Sequence, residues 1–315
     1  MTRLTRRSAL TLAAASALPI GALRSARADE PTLGLVTINQ QALFFNQMND
    51  GAKAAAAKAG AKLVIFDPNN DPAKQNDAIE AYIQQKVRGL VVVAIDVNGV
   101  MPGVNKAAAA GIPVVAVDAI LPPGPQKAQI GVDNAEGGAA IARHLIEAVN
   151  AKMGGKAKLG IVGALNSYIQ NVRQKGFEDA LKAAPGIKVV QVVDGRNIQD
   201  NAMSVAETLM TANPDLDAIY ATGEPALIGA IRAVESQGRT DKVRIVGWDL
   251  SPAAIKGLDG GYVIGVVQQD PSLMGAAAVD ALVTLNKGGT VPKQINTKLT
   301  IVTEQNVGPY RAMFK

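Results

Sequence analysis

Residues 88–119 read RGLVVVAIDVNGVMPGVNKAAAAGIPVVAVDA, and this stretch decides the fold class. The runs LVVVAI and VVAV have no polar alternation, so neither presents a face suited to water. Strands of that kind are buried on both sides, as in a parallel sheet covered by helices. The Ala-rich stretch Val100–Ala110 between them reads as a crossover helix, which makes the whole a right-handed strand–helix–strand unit.

The same alternation extends outward in both directions. Leu33–Ile38, Lys62–Phe66 and Gln129–Val132 complete a first series of strands with Gly89–Ile95 and Val114–Val117. A break at Gly154-Gly155-Lys156 precedes a second series: Lys158–Val162, Lys188–Val193, Ala218–Ala221, Arg244–Gly247 and Val263–Val267. Helical stretches separate them, among them Asn46–Ala59, Pro72–Lys86, Ala135–Lys152, Val172–Ala184, Pro225–Gln237 and Leu273–Leu285. The prediction is an α/β chain of two doubly wound parallel-sheet lobes. A length of 315 residues is enough for two cores. Open sheets of this type bind ligands in the crevice outside the carboxyl ends of their strands, so functional residues are sought just after strands.

Composition narrows the chemistry. The absence of Cys excludes disulfides, zinc–thiolate sites and thiol nucleophiles. Hydrophobic residues at 48% against 19% charged describe a packed chain. The formal charge of +5 resides in residues 1–28, which hold Arg3, Arg6, Arg7, Arg24 and Arg27 and no acid. The rest of the chain is formally neutral, so the pI near 9.3 gives no reason to expect nucleic acid. Residues 1–28 run from a basic start through a weakly apolar stretch, Ser8–Leu23, to Ala26-Arg27-Ala28. That is the order of a signal peptide, cleaved after Ala28 to leave Asp29 first. The pair Arg6-Arg7 resembles a twin-arginine export signal, with Ala9 where a larger apolar residue is usual, so the general secretion route stays open.

Several chemistries lack their cues. The sequence contains no G-x-S-x-G, no G-x-x-x-x-G-K-[ST] and no G-x-G-x-x-G. The only His, His144, falls inside a helical stretch and reads as a satisfied or surface residue. Asp67-Pro-Asn-Asn-Asp71 imitates half a calcium loop, but Pro72 replaces the turn Gly and Ala78 the final Glu. It reads instead as a turn before a helix. Lys53, Lys58 and Lys62 form a solvated face. No cofactor and no metal are expected.

The strand ends hold the candidates. Phe44-Phe45 follow the first strand in a stretch read as loop, and the chain is only 3% aromatic. Two adjacent rings there can stack on a ligand's apolar face or plug the sheet edge. Asp118 ends PVVAVD and Asp249 ends VGWD, at matching positions of the two series. Two such carboxylates are an acid–base pair or a clamp for hydroxyls, and Asp249 can instead cap the helix near Pro252. Arg173 opens Arg-Gln-Lys-Gly-Phe177, and Gln269 follows the last strand of the second series. Guanidinium donors and carboxylate acceptors together satisfy a polyhydroxylated molecule from both sides.

In these markers, with Asp50-Gly51, Asp133-Asn134 and Gly247-Trp-Asp249, the chain resembles the periplasmic sugar-binding proteins of ABC transporters, of the ribose/galactose type. Their fold, the type I periplasmic binding protein fold, is shared with the effector domains of LacI-type regulators. The resemblance covers essentially all of the mature chain. It implies two lobes, 29–132 plus 270–298 and 133–269 plus 299–315, joined by three hinge crossings and closing on a sugar. It implies stacking by Phe44 and Phe45 and hydroxyl binding by Asp118, Arg173, Asp249 and Gln269.

Departures from the ribose pattern fall at Ala119 (Arg in ribose binders), at Gly223-Glu224 (Asn-Asp), near Asn197 (an aromatic) and at Gln41-Ala42 (Asn before the aromatic pair). Gln41, Asn197 and Glu224 therefore join the site as candidates, and the expected ligand is a sugar or sugar alcohol other than ribose. An alditol or another pentose stands ahead of a hexose. The expected role is an exported, monomeric receptor in the periplasm that delivers its ligand to a membrane permease. A sensor presenting its closed form to a chemoreceptor or sensor kinase is one alternative. An exported enzyme using Asp118 and Asp249 is the other, and the missing motifs speak against it. A regulator would need an N-terminal DNA-binding motif where the leader stands, so no nucleic-acid partner is expected.

Overall fold

The computed structural model describes residues 30–40 and 43–314, so the expected leader, Gln41 and Lys315 lie outside the described residues. The strands β1 (Thr32–Val36), β2 (Lys62–Phe66), β3 (Gly89–Val92), β4 (Val114–Val117) and β5 (Ala128–Gly131) belong to one sheet. The strands β6 (Ala157–Gly163), β7 (Ile187–Asp194), β8 (Ala218–Ala221), β9 (Arg244–Trp248) and β10 (Val263–Gln268) belong to another. Helices α1 (Leu43–Ala59), α2 (Pro72–Gln84), α3 (Met101–Ala109) and α4 (Asn134–Lys152) connect or follow the first series. Helices α5 (Tyr168–Leu181), α6 (Gln199–Ala212), α7 (Glu224–Ser236), α8 (Pro252–Asp259) and α9 (Pro271–Asn286) follow.

Two short strands complete the sheets. β11 (Gln294–Asn296) adds to the first sheet parallel to β5, and β12 (Thr300–Val302) adds to the second antiparallel to β10. The orders are β11-β5-β4-β3-β1-β2 and β12-β10-β9-β8-β6-β7, the same winding twice. Both have the doubly wound 2-1-3-4-5 form. Each sheet therefore has six strands where the sequence reading gave about five. The chain passes between the sheets three times, after β5, after β10 and after β11.

The apolar runs fill two faces at once. Val91, Val93, Val115 and Val117 enter one core with Met48 of α1 and Met274 and Leu282 of α9. Their neighbours Leu90, Val92, Val114 and Ala116 enter another with Ile79 of α2 and Val104 of α3. Alternate residues of a strand face opposite sides, so a double-sided burial needs an unbroken apolar run. The second lobe repeats this: Leu159, Ile161, Tyr220 and Trp248 pack toward α4 and α5, and Val162, Ile219 and Ile245 toward α6, α7 and α8.

Two close helix crossings brace the lobes. A Cβ on Gly176 of α5 would lie 2.1 Å from the Ala135 carbonyl of α4, and one on Gly138 would lie 2.0 Å from the Arg173 carbonyl. In the first lobe Gly51 of α1 and Gly275 of α9 are equally close to the opposite helix, at 1.9 Å each. These glycines let paired helices touch backbone to backbone beneath the strand ends.

Three further differences from the sequence expectations bear on the site and the chain's last segment. The helix expected from Asn46 begins at Leu43, so Phe44 and Phe45 lie on its first turn and not in a loop. Asn46 does satisfy a group of the incoming chain, its Nδ2 donating to the Gln40 carbonyl at 2.8 Å, but from inside the helix. The helix expected from Val172 begins at Tyr168, capped by Ser167, whose hydroxyl accepts from the Gln170 N–H. Beyond β12 a 3-10 turn spans Gly308–Phe314, opened by the turn dipeptide Gly308-Pro309, where no element was expected.

Candidate functional site

The two strand-end aspartates are built alike. Asp118 directly follows β4 and Asp249 directly follows β9, and both have left-handed backbones, with φ of 65° and 63°. That conformation costs a non-glycine residue about 1–2 kcal/mol, less for Asp, so the fold must impose it. The Asp118 N–H donates to the Ile130 carbonyl of β5 at 2.9 Å, and the Asp249 N–H to the Val267 carbonyl of β10 at 2.8 Å. A glutamine on each of those strands then pins the turn beyond. Gln129 Nε2 donates to the Ala119 carbonyl at 3.1 Å, and Gln268 Oε1 accepts from the Leu250 N–H at 2.8 Å. Asp249 is not a helix cap: Ser251 caps α8, accepting from the Ala254 N–H.

Arg173 lies on α5, buried, with its guanidinium 3.8 Å over the Trp248 ring. Its Nε donates to Asn134 Oδ1 at 2.9 Å and its Nη1 to the Thr222 carbonyl at 3.3 Å. Nη1 is also 3.6 Å from Asp249 Oδ2, while Asp249 Oδ1 accepts from Gln269 Nε2 at 2.8 Å. Beneath this, the Trp248 indole N–H donates to the Tyr220 hydroxyl at 3.0 Å, and Tyr220 stacks on Phe177 at 3.8 Å. A buried aromatic column thus holds one guanidinium beside the Asp249 carboxylate.

Glu224 and Asn197 complete the second lobe's share. Asn197, with φ of 57°, accepts from Gln170 Nε2 at 2.7 Å, and Gln170 Oε1 accepts from the Thr222 hydroxyl at 2.7 Å. Glu224 opens α7. Loss of solvent pushes its carboxyl above the usual range, with the Asp249 charge adding to the rise, although part of its side chain stays in water. Burial likewise pushes up the Asp118 carboxyl; Arg173 pulls it back and Asp249 raises it further. Among the described residues no hydrogen-bond donor reaches the side-chain carboxylates of Asp118 or Glu224. Both stand as open acceptors.

Asp118, Arg173, Asn197, Glu224, Asp249 and Gln269 line one cavity of about 540 Å³, within the range of small-molecule sites. Phe44, Phe45, Gln47, Asp118 and Pro271 enter it from the first lobe, with the two phenyl rings edge-on at 5.2 Å. Arg173, Asn197, Glu224, Asp249 and Gln269 enter from the second. Eight of the nine residues singled out from the sequence therefore meet there, and Gln41 lies outside the described residues.

Sequence reading missed Gln47, Gln170, Gln268, Met313 and Phe314 in the same wall. Gln170 is one helical turn before Arg173 and was findable by that spacing. Met313 and Phe314 had no local signal.

Residues set aside behave as ordinary structure. His144 Nε2 contacts the Ile264 carbonyl at 2.8 Å, beside the irregularity in β10. Asp71 caps α2, and Lys53 pairs with Asp50 in water. Among the described residues no cluster of His, Asp and Glu suits a metal ion, and no helix is long and apolar enough to cross a membrane.

Two similarly wound lobes with polar side chains from both converging on one cavity at the strand ends define a two-lobed solute-binding protein. The chain belongs to the family described as the periplasmic binding protein domain, whose model matches residues 33–290. It is 29% identical over 293 residues to the ribose import binding protein of Escherichia coli, covering 92% of this chain and 97% of that one. Among solved structures it resembles an ABC transporter solute binding protein of Burkholderia graminis in complex with D-arabinose. That match has 30% identity and a TM-score of 0.77, over 89% of this chain and 97% of the other. A periplasmic solute binding protein of Actinobacillus succinogenes with bound D-allose matches at 26% identity and a TM-score of 0.80, over 89% and 100%. The fold is that of the type I periplasmic binding proteins.

Proposed function

We propose that this chain is an exported solute-binding receptor of an ABC importer, capturing a small sugar or sugar alcohol between its lobes and delivering it to a membrane permease. The observation that carries this reading is the meeting of Phe44-Phe45 from one lobe with the Arg173–Asp249–Gln269 set from the other in one cavity. Aromatic rings pack on the C–H face of a ring or polyol chain. Asp118, Asp249 and Glu224 accept from hydroxyl groups, and Arg173 and Gln269 donate to them. With its guanidinium neighbour and its amide donor, Asp249 serves as an acceptor clamp and not as half of an acid–base pair. The lobes hinge near 132–133, 269–270 and 298–299, where the chain changes sheets, and closure excludes water from the ligand.

The departures at Ala119 and Gly223-Glu224 support a ligand other than ribose. A site that hydrogen-bonds given hydroxyls rejects analogues lacking them by large factors, so lost donors signal a changed ligand. The family and the leader support a periplasmic location with a mature chain beginning at Asp29. N-terminal sequencing that found Met1 or Thr2 on the native protein would overturn that part.

Trp248 is the only Trp and lies under Arg173, so its fluorescence reports the site. Titration with D-ribose, other pentoses, pentitols, tetritols and hexoses is expected to give micromolar-or-tighter binding to one class. A ligand at 100 Kd also raises stability by about 2.7 kcal/mol. Scattering should register compaction on binding, with the ligand recovered unchanged. Tight ribose binding with none for the alditols refutes the ligand assignment, and turnover of the ligand refutes the receptor.

A further inference from the structure

Phe44 and Phe45 give the cavity an apolar face on the first lobe. On the second lobe polar groups such as Arg173, Asn197, Glu224 and Asp249 predominate, with Ile169, Pro225 and Leu250 as aliphatic lining. Near Asn197, where the resemblance implies an aromatic, the structure has an amide held by Gln170. Among the described residues, one aromatic side chain lines the cavity from that lobe. It is Phe314, at the end of the chain.

The segment carrying Phe314 is fixed to the second lobe. Val307 is buried, and the Tyr310 N–H donates to its carbonyl at 3.0 Å. Tyr310 and Phe314 pack against the core that contains Leu250, Leu258 and Val302. Arg311 Nη1 donates to Asp259 Oδ2 of α8 at 2.9 Å, and its second Nη pairs with the other carboxylate oxygen. A fork-to-fork pair of this kind fixes orientation as well as position. Met313, on the same turn, lines both the main cavity and an adjoining one of about 360 Å³ that also touches Gln47 of α1 and Leu273 of α9. The turn is therefore anchored to one lobe, while its thioether shares cavity walls with residues of the other.

We infer that the C-terminal turn is part of the binding site, with Phe314 supplying the second lobe's aromatic contact to the ligand and Met313 a contact to the first lobe in the closed form. This rests on the cavity being a sugar or polyol site, as proposed above. Phe314 is only partly buried against its own lobe and is a lining residue of the cavity, so its ring serves both core and ligand. A polyol presents C–H groups as well as hydroxyls. With rings on both lobes, closure covers that apolar surface from two sides.

The test uses three variants of the full mature chain: Phe314→Ala, Phe314→Leu and deletion of residues 313–315. The probes are D-ribose, D-arabinose, D-allose, ribitol and erythritol, measured by calorimetry. For each probe that binds the parent protein, Phe314→Ala and the deletion should weaken binding about ten- to a hundredfold. Phe314→Leu, which keeps apolar area without a ring, should fall between. Melting of the ligand-free variants checks that the fold survives. A second readout reports contact directly, because the chain has only five Phe, at 44, 45, 66, 177 and 314. In protein labelled with fluorophenylalanine, the binding probe should shift the Phe314 resonance, assigned by its loss in Phe314→Leu. Phe66, exposed on the edge strand β2, should stay still. Unchanged affinity in all three variants, or an unmoved Phe314 resonance, overturns the inference and leaves the receptor reading standing. A parent protein that binds none of these probes and no other sugar or polyol overturns both.

Discussion

Replacing Arg173 by Met should destabilise the ligand-free protein, and the structure sets how much. The guanidinium is 3.6 Å from the Asp249 carboxylate, a gross attraction of about 4–5 kcal/mol at an effective dielectric of about 20. Asp249 is one-quarter exposed, so solvent reduces the pair's net coupling to about 2 kcal/mol. Met fills much of the volume but leaves Asn134 Oδ1 and the Thr222 carbonyl without their donor and removes the contact over Trp248. It also leaves Asp118, already raised by burial, without its compensating cation. Breaking a buried pair in this way costs about 3–5 kcal/mol. Urea unfolding followed by circular dichroism on the parent, Arg173→Met, Asp249→Asn and the double variant gives the total and the coupling. The expected loss is about 3–5 kcal/mol for the single Arg variant, with a coupling near 2 kcal/mol. A loss below about 1 kcal/mol, or a coupling of zero, would show that the guanidinium does not hold the carboxylates together.

Other perturbations follow from the same geometry. Asp118 carries a carboxyl whose folded pKa is raised by burial, so the unfolded chain ionises first as pH rises and the group destabilises the fold near neutrality. Asp118→Asn should then raise the melting temperature of the ligand-free protein near pH 7, with the gain fading below about pH 4. A gain that instead grew on acidification would contradict this. Gly176→Ala forces a Cβ to within 2.1 Å of the Ala135 carbonyl, so α4 and α5 must separate at the turn that carries Arg173. Overpacking of this kind costs about 1–3 kcal/mol, and ligand affinity should drop with it; a variant with parental melting and binding would refute the close crossing. Arg173→Ala should weaken ligand binding roughly ten- to a hundredfold, while Lys53→Ala, on an exposed pair with Asp50, should leave it unchanged. Equal effects at the two positions would mean that the cleft lies elsewhere.

The double lobes and the strand-end aspartates were legible in the sequence because their signals are local. A run such as LVVVAI is buried on both faces wherever it is placed, and the first polar residue after it must emerge at the sheet's carboxyl end. Local reading weakened where a residue does two things. Asn46 marks the start of α1 by composition, yet the helix begins three residues earlier and carries Phe44 and Phe45 with it. It failed where the decision is made by distant chain. β11 is Gln-Ile-Asn, a segment without strand character, and it forms only because β5, more than 150 residues earlier, offers an open edge. The left-handed backbones of Asp118 and Asp249 are set by neighbouring strands whose carbonyls receive their N–H groups. Phe314 lines the cavity from a last turn that packs on the second lobe's core and pairs with α8 through Arg311 and Asp259. Periodicity and burial are properties of adjacent residues, so the sequence by itself determined the layers and the strand ends. Which strand edge is left open, which carbonyl lies in reach and where the chain's end comes to rest depend on contacts between remote segments, and only the tertiary structure decided them.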